Sequence, residues 1–95
     1  MESILNEIRQ LHNRKNTDYG NSFDKTLDEF GLVASATRMS DKFNRFKSLI
    51  KNQNPVQVQD EKIEDTLIDL ASYAIMTIKW MRQNGVFGND TRGTI

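Results

Sequence analysis

Two long stretches of the chain carry apolar residues at alternating steps of three and four, and the only proline lies between them. This spacing aligns apolar side chains along one side of an α-helix and is typical of a helix that packs lengthwise on another helix. Because Pro55 cannot continue a helix, we expect the two stretches to form an antiparallel hairpin. The predicted contact seams are Leu32, Ala36, Met39, Phe43, Phe46 and Ile50, and Ile63, Leu67, Leu70, Ala74, Ile78 and Met81.

The remaining segments predict a small all-α bundle around this hairpin. Strand-like alternation is not sustained anywhere, and turn-forming residues and glycines punctuate the helical patterns. Residues 1–84 are expected to form a single helical domain, and residues 85–95 a flexible C-terminal tail or arm. The predicted elements are a shorter N-terminal helix (2–14), a loop (15–22) with Tyr19 at its tip, a short connecting helix (23–30) capped by Ser22, and long helices over 32–51 and 60–83.

Composition narrows the classes of function. Thirteen Lys and Arg residues balance thirteen Asp and Glu residues, which argues against binding to duplex nucleic acid or to an anionic membrane. The absence of cysteine excludes disulfides, thiolate metal sites and thiol nucleophiles from this chain. No secretory signal pattern is visible at the N-terminus, so we expect a cytoplasmic protein.

Opposite charges are expected to meet along the hairpin. Asp69 lies within an otherwise apolar stretch, and Asp65 and Glu61 precede it on the same helix face. An antiparallel hairpin would bring Asp69 to the level of Asp41 and Lys42, and Asp65 to the level of Arg45. The cation-bearing face of the first long helix comprises Arg38, Asp41, Lys42 and Arg45.

These charges allow two interpretations, which are compatible with each other. One is a set of ion pairs that fixes the register of the hairpin. The other is that some charges face a ligand: surplus cations would hold a phosphate, or surplus carboxylates would hold Mg²⁺.

The loop from Asp18 to Phe23 is a second candidate for ligand binding. Tyr19 and Phe23 offer aromatic faces for a base, Gly20 permits close backbone approach, and Ser22 lies where free helix N–H groups can hold a phosphate. A simple helix connection plugged by its two aromatic residues explains the same pattern.

Several motifs, taken in order, resemble a known family. They are DYGNSF (18–23), GL (31–32), RMSDKFNR (38–45) and DTLIDLASYA (65–74), and together they resemble the nucleotide modification associated domain 1 family of bacteriophages and bacteria. The resemblance covers about 15–78 and implies a nucleotide-related role in the cytoplasm of a bacterial host. The carboxylate-bearing helix is also distantly similar to MazG-type pyrophosphohydrolases, but the paired acidic motifs of those enzymes are incomplete here.

The sequence therefore favours a phage-type nucleotide-binding protein without catalytic residues. Its ligand would be a nucleotide or a cyclic nucleotide, and sequestration of a defence signal (counter-defence) is a function suggested by analogy. We expect a homo-oligomer, because Ile68, Ala71 and Ile75 give the last helix a second apolar face. The predicted ligand-binding residues are Asp18, Tyr19, Gly20, Ser22, Phe23, Arg38, Lys42 and Arg45.

Three alternatives remain open at this point. In the first, a Mg²⁺-dependent nucleoside triphosphate pyrophosphohydrolase would hold its metal through Asp41, Asp65 and Asp69. In the second, the chain is an accessory protein for nucleotide modification. In the third, it is a purely structural or protein-interaction module that uses the spare face of the last helix.

Overall fold

A computed structural model describes the backbone of residues 1–19, 22–51 and 56–86, together with the side chains of all of these except 15–19 and 56–61. Within these ranges the chain forms four α-helices and no strand, which confirms the predicted all-α fold. None of these helices is long and apolar enough to cross a membrane. The helices are α1 (Glu2–Tyr19), α2 (Ser22–Phe30), α3 (Leu32–Lys51) and α4 (Val56–Gln83).

Two of the predicted helix ends are wrong. Helix α1 continues to Tyr19, although residues 15–18 were expected to begin a loop. Polar turn formers lower helix propensity by only tenths of a kcal/mol each, so a helix that is already formed can run through them. Helix α4 begins at Val56 rather than near residue 60, directly after Pro55, and proline is well tolerated at the start of a helix.

The other ends follow the predicted stop signals. Gly31 has φ +74° between α2 and α3, a left-handed conformation that glycine adopts without steric cost. Helix α4 closes with Gly85 at φ +66°, and the Val86 N–H donates to the Met81 carbonyl at 2.9 Å. That six-residue closure is a Schellman motif, which satisfies a carbonyl at the helix end.

Helix α4 is the central element, and α3 packs antiparallel along it. Two polar contacts fix their register: the Ser35 and Thr77 hydroxyls lie 2.6 Å apart, and the Lys42 Nζ lies 3.0 Å from the Asp69 Oδ2. The prediction that Asp69 lies at the level of Asp41 and Lys42 is therefore confirmed.

The rotation of the two helices differs from the prediction. Five of the expected seam residues are 41–50% exposed, namely Leu32, Phe43, Ile50, Leu67 and Ile78. The contact instead includes the hydroxyl pair and the ion pair, which can enter it because their polar atoms hydrogen-bond each other. As a result, part of the apolar surface of the hairpin faces outward.

Helix α2 completes the main core at the end of the hairpin. Leu27 is fully buried against Ala34 and Trp80, and Phe23 and Met81 pack around them. The Trp80 Nε1–H donates to Asp28 Oδ1 at 2.8 Å, so the indole keeps a partner in its buried position.

Candidate functional site

An open cleft of about 490 Å³ separates residues 7–14 of α1 from residues 65–69 of α4. Its volume is in the range of small-molecule sites. Leu11 and Ile68 supply apolar surface, and the remaining lining is polar or charged. The lining residues are Glu7, Gln10, Leu11, Arg14, Asp65, Ile68 and Asp69.

The periodicity of α1 explains its wall of the cleft. Glu7, Gln10 and Arg14 are separated by three and four residues, so they lie on one face of the helix. Residues 7–14 of α1 line the cleft together with residues 65–69 of α4, and Ile8 and His12 of the same stretch line a small cavity together with residues 72–79 of α4. This stretch of α1 therefore packs across α4 between residues 65 and 79, and its polar face borders the cleft.

The Lys42–Asp69 ion pair joins this cleft to α3. The two side chains are 29% and 25% exposed, so the pair is partly shielded from water. The ammonium group neutralises the carboxylate that the sequence placed in an apolar stretch. This contact supports the structural interpretation of that pair and leaves the other charges of the cleft available to a ligand.

Three charged side chains of the cleft have no partner within the described part of the chain. Glu7, Arg14 and Asp65 are exposed, and none of them forms an ion pair there. With the Lys42–Asp69 pair taken as neutral, the described side chains that line the cleft carry one net negative charge. The predicted contact of Asp65 with Arg45 is not formed, and Arg45 is also exposed.

The start of α2 lies close to the ion pair. The Phe23 ring meets the Tyr73 ring edge-on, with centroids 4.9 Å apart, and Tyr73 is one helical turn beyond Asp69 on α4. The first turn of α2, which begins at Ser22, is thereby brought next to the contact between α3 and α4. Phe23 is engaged in packing, and the side chains of Asp18 and Tyr19 and all of Gly20 lie outside the described residues.

Two of the predicted site residues lie at a second groove and not at the cleft. It has a volume of about 350 Å³ between α2 and α3, and its lining includes Arg38 and Asp41. Asp41 is therefore on a different surface from Asp65 and Asp69. Among the described residues, no three His, Cys, Asp or Glu side chains are grouped as metal ligands.

A small cavity of about 80 Å³ lies further along the contact between α1 and α4. The Ser72 hydroxyl is buried there and finds no hydrogen-bond partner in the described part of the structure. Burial lowers the pKa of His12, nearby Lys79 lowers it further, and Asp24 opposes the shift. The contact between α1 and α4 thus contains a cavity and a buried hydroxyl without a described partner, whereas the polar groups named above in the contact between α3 and α4 are paired.

The α1 wall of the cleft was not predicted from the sequence. No role was expected for Glu7, Gln10 or Arg14. A signal was present, because these polar residues form a stripe beside Ile8 and Leu11. Periodicity alone could not show that this stripe faces α4, because it does not specify how α1 and α4 are aligned.

The comparison with family models gives one match. The model described as nucleotide modification associated domain 1 matches residues 15–80, which is more than half of the chain. The chain therefore belongs to this family, and membership indicates a nucleotide-related role. The match covers α2, α3 and most of α4, and it begins directly after Arg14. No curated protein and no solved structure matches the chain significantly.

Proposed function

We propose that this member of the nucleotide modification associated domain 1 family binds a nucleotide, or a signal derived from one, in the cleft between α1 and α4. The observation that carries the proposal is a cleft of about 490 Å³ in which Arg14 faces α4 beside the neutralised Asp69. A site of that volume can enclose a mononucleotide or one unit of a cyclic oligonucleotide.

Arg14 is the group suited to the phosphate. A guanidinium presents a planar set of donors that matches phosphate oxygens in a two-point contact. Gln10, one turn earlier on the same wall, can both donate and accept hydrogen bonds, as recognition of a base or sugar requires. Leu11 and Ile68 supply apolar surface on which a base can rest.

The charge of the cleft makes Mg²⁺ the expected companion of the ligand. Glu7 and Asp65 would repel a phosphate that approached without a counter-ion. Mg²⁺ usually binds proteins through one or two carboxylates and completes its shell with water and substrate phosphates. Asp65, exposed beside Asp69 on the wall of the cleft, is suited to that bridging role.

Binding is favoured over hydrolysis because of Lys42. Its ammonium group lies 3.0 Å from Asp69, the carboxylate that a hydrolytic metal site would also need. Asp41 borders the second groove instead of the cleft. A protein that holds a nucleotide without turning it over acts by sequestration, which fits a counter-defence role in a phage.

Calorimetric titration with a panel of nucleotides and cyclic oligonucleotides in Mg²⁺ tests this proposal. We expect at least one ligand to bind with Kd below about 100 µM. Arg14→Gln should weaken that binding by about tenfold or more, as expected for a lost charge-assisted hydrogen bond. Arg9→Gln is the matched control, because Arg9 is on the same helix, contacts Asn6 and does not line the cleft. No binding, or equal loss in both variants, would overturn the proposal.

Asp65→Asn tests the role of the metal. If Mg²⁺ bridges the carboxylate and the phosphate, this variant should bind the nucleotide more weakly and lose the dependence on Mg²⁺. Direct binding of phosphate without a metal predicts the opposite, because removal of a negative charge would then strengthen binding.

A Mg²⁺-dependent hydrolase is the second candidate, and it is favoured by the carboxylates of Glu7 and Asp65 at one cleft. Long incubation of nucleoside triphosphates with the protein and Mg²⁺, followed by chromatography, separates the two functions. Intact nucleotides support binding alone. Release of pyrophosphate or phosphate that is lost in Asp69→Asn would establish hydrolysis instead.

A further inference from the structure

An exposed apolar stripe runs along one side of α4, and one of its residues, Ile75, also borders the small cavity between α1 and α4. Leu67, Ile75 and Ile78 are 41%, 46% and 49% exposed, and half-buried Ala71 lies between them. Steps of three and four residues keep these side chains on one face. Glu64 and Arg82, both exposed, mark the two ends of this α4 stripe.

The order of residues in the α4 stripe is self-complementary. If a second α4 runs antiparallel across the first, about a two-fold axis at the level of Tyr73, Leu67 falls opposite Ile78, and Ala71 opposite Ile75. At each end, the Glu64 carboxylate then falls opposite the Arg82 guanidinium. A parallel arrangement would instead place like charges opposite each other, which is unfavourable.

We infer that the α4 stripe is the interface through which two copies of this chain form an antiparallel dimer. Two-fold symmetry uses each contact twice, as an isologous interface requires. The small Ala71 near the axis allows the helices to approach closely, and the flanking isoleucines fill the space on either side. The charged ends set the direction of pairing more than its strength.

The size of the α4 stripe indicates a reversible dimer. One helix pair covers less than the roughly 800 Å² per partner of a standard interface. We therefore expect dissociation in the micromolar range, on the order of 10 µM. The cleft between α1 and α4 lies on a different side of α4, so the dimer does not depend on nucleotide binding.

Light scattering over a range of protein concentrations tests the dimer. The full chain should change from monomer to dimer, and Ile78→Glu should remain monomeric at every concentration, a loss of at least about tenfold in affinity. Val33→Glu, at a 71% exposed position on α3, is the matched control and should still dimerise. If Ile78→Glu loses its helical circular dichroism, Leu67→Glu replaces it. A monomeric parent chain, or a dimer unaffected by these variants, would overturn the inference.

Cross-linking tests the direction of pairing. The chain has no cysteine, so Glu64→Cys and Arg82→Cys each introduce a single thiol. An antiparallel dimer predicts disulfide formation mainly when the two variants are mixed. Efficient cross-linking of either variant with itself would contradict the antiparallel arrangement.

Discussion

The two long contacts of α4 differ in how their polar groups are satisfied. On the α3 side, hydroxyl meets hydroxyl at 2.6 Å and ammonium meets carboxylate at 3.0 Å. On the α1 side, Arg14 and Asp65 border an open cleft, and the buried Ser72 hydroxyl has no partner in the described structure. A closed contact fixes the register of a fold, whereas an open one leaves charges available for a ligand.

This difference distinguishes the three helices that form the buried core from α1, which borders the candidate site. Helices α2, α3 and α4 share the buried cluster around Leu27 and Trp80. Among the described side chains of α1, only Ile8 is buried. We therefore expect α1 to be the less stably packed helix and the one that responds most to a bound nucleotide.

The largest predicted effects on stability are those of two core substitutions, one in the core formed by α2, α3 and α4 and one in the contact between α1 and α4. Leu27→Ala removes a fully buried side chain and should lower the free energy of unfolding by about 3 kcal/mol. Ile8→Ala should cost about 2 kcal/mol, because Ile8 already borders a cavity and has fewer neighbours to lose. Urea denaturation measures both. A larger loss for Ile8→Ala would show that α1 belongs to the main core.

The ion pair should give the next largest effect. Lys42→Met or Asp69→Asn alone should each destabilise the protein by about 1–2 kcal/mol, because each removes one member of a partly buried ion pair. The double variant should lose less than the sum of the two. A double-mutant cycle measures this coupling, and zero coupling would mean that the pair does not fix the register.

Two serines give a sharper comparison, because replacing them by alanine should change stability in opposite directions. Ser35 lies in the contact between α3 and α4, and Ser72 lies in the contact between α1 and α4. Ser35→Ala breaks the bond to Thr77 and should lower stability by about 1 kcal/mol. Ser72→Ala removes a buried hydroxyl without a partner in the described structure and should be neutral or stabilising by up to about 1 kcal/mol. Thermal unfolding of the two variants side by side measures the difference. A similar loss in both would contradict the contrast between the contacts.

The smallest predicted effect is the pH dependence at His12. Burial and Lys79 lower the pKa of His12 below its usual 6.5, so the folded state binds fewer protons than the unfolded state. The stability that this difference contributes is fully present above pH 6.5 and is lost as the pH falls below it toward the folded pKa. His12→Gln should flatten that part of the stability profile, and an unchanged slope would assign it to other groups.

The sequence was sufficient for the hairpin but not for its rotation. Apolar periodicity and Pro55 correctly predicted two long antiparallel helices, and the hairpin register correctly placed Asp69 at the level of Asp41 and Lys42. Periodicity could not show that polar pairs would occupy the contact while Phe43 and Ile78 remained exposed. That outcome depends on mutual hydrogen bonding between side chains that are distant in sequence.

The candidate site was harder to predict for the same reason. Asp65 and Asp69 were predicted as metal ligands in the hydrolase alternative, because they form a stripe on one helix face. The α1 wall was not predicted, because its role depends on how α1 docks on α4, and no local pattern specifies that docking. Arg38 and Arg45, which the sequence suggested as ligand contacts, are not among the residues that line the cleft, and the structure places Arg38 at the second groove.

Amide hydrogen exchange with and without a bound nucleotide tests the central claim most directly, because it reports each helix separately. We predict that the nucleotide, in Mg²⁺, slows exchange in α1 around residues 7–14 and in the first turn of α2, while α3 changes little. Protection confined to α3, or no change in α1 under conditions where calorimetry shows binding, would contradict the assignment of the cleft between α1 and α4 as the site.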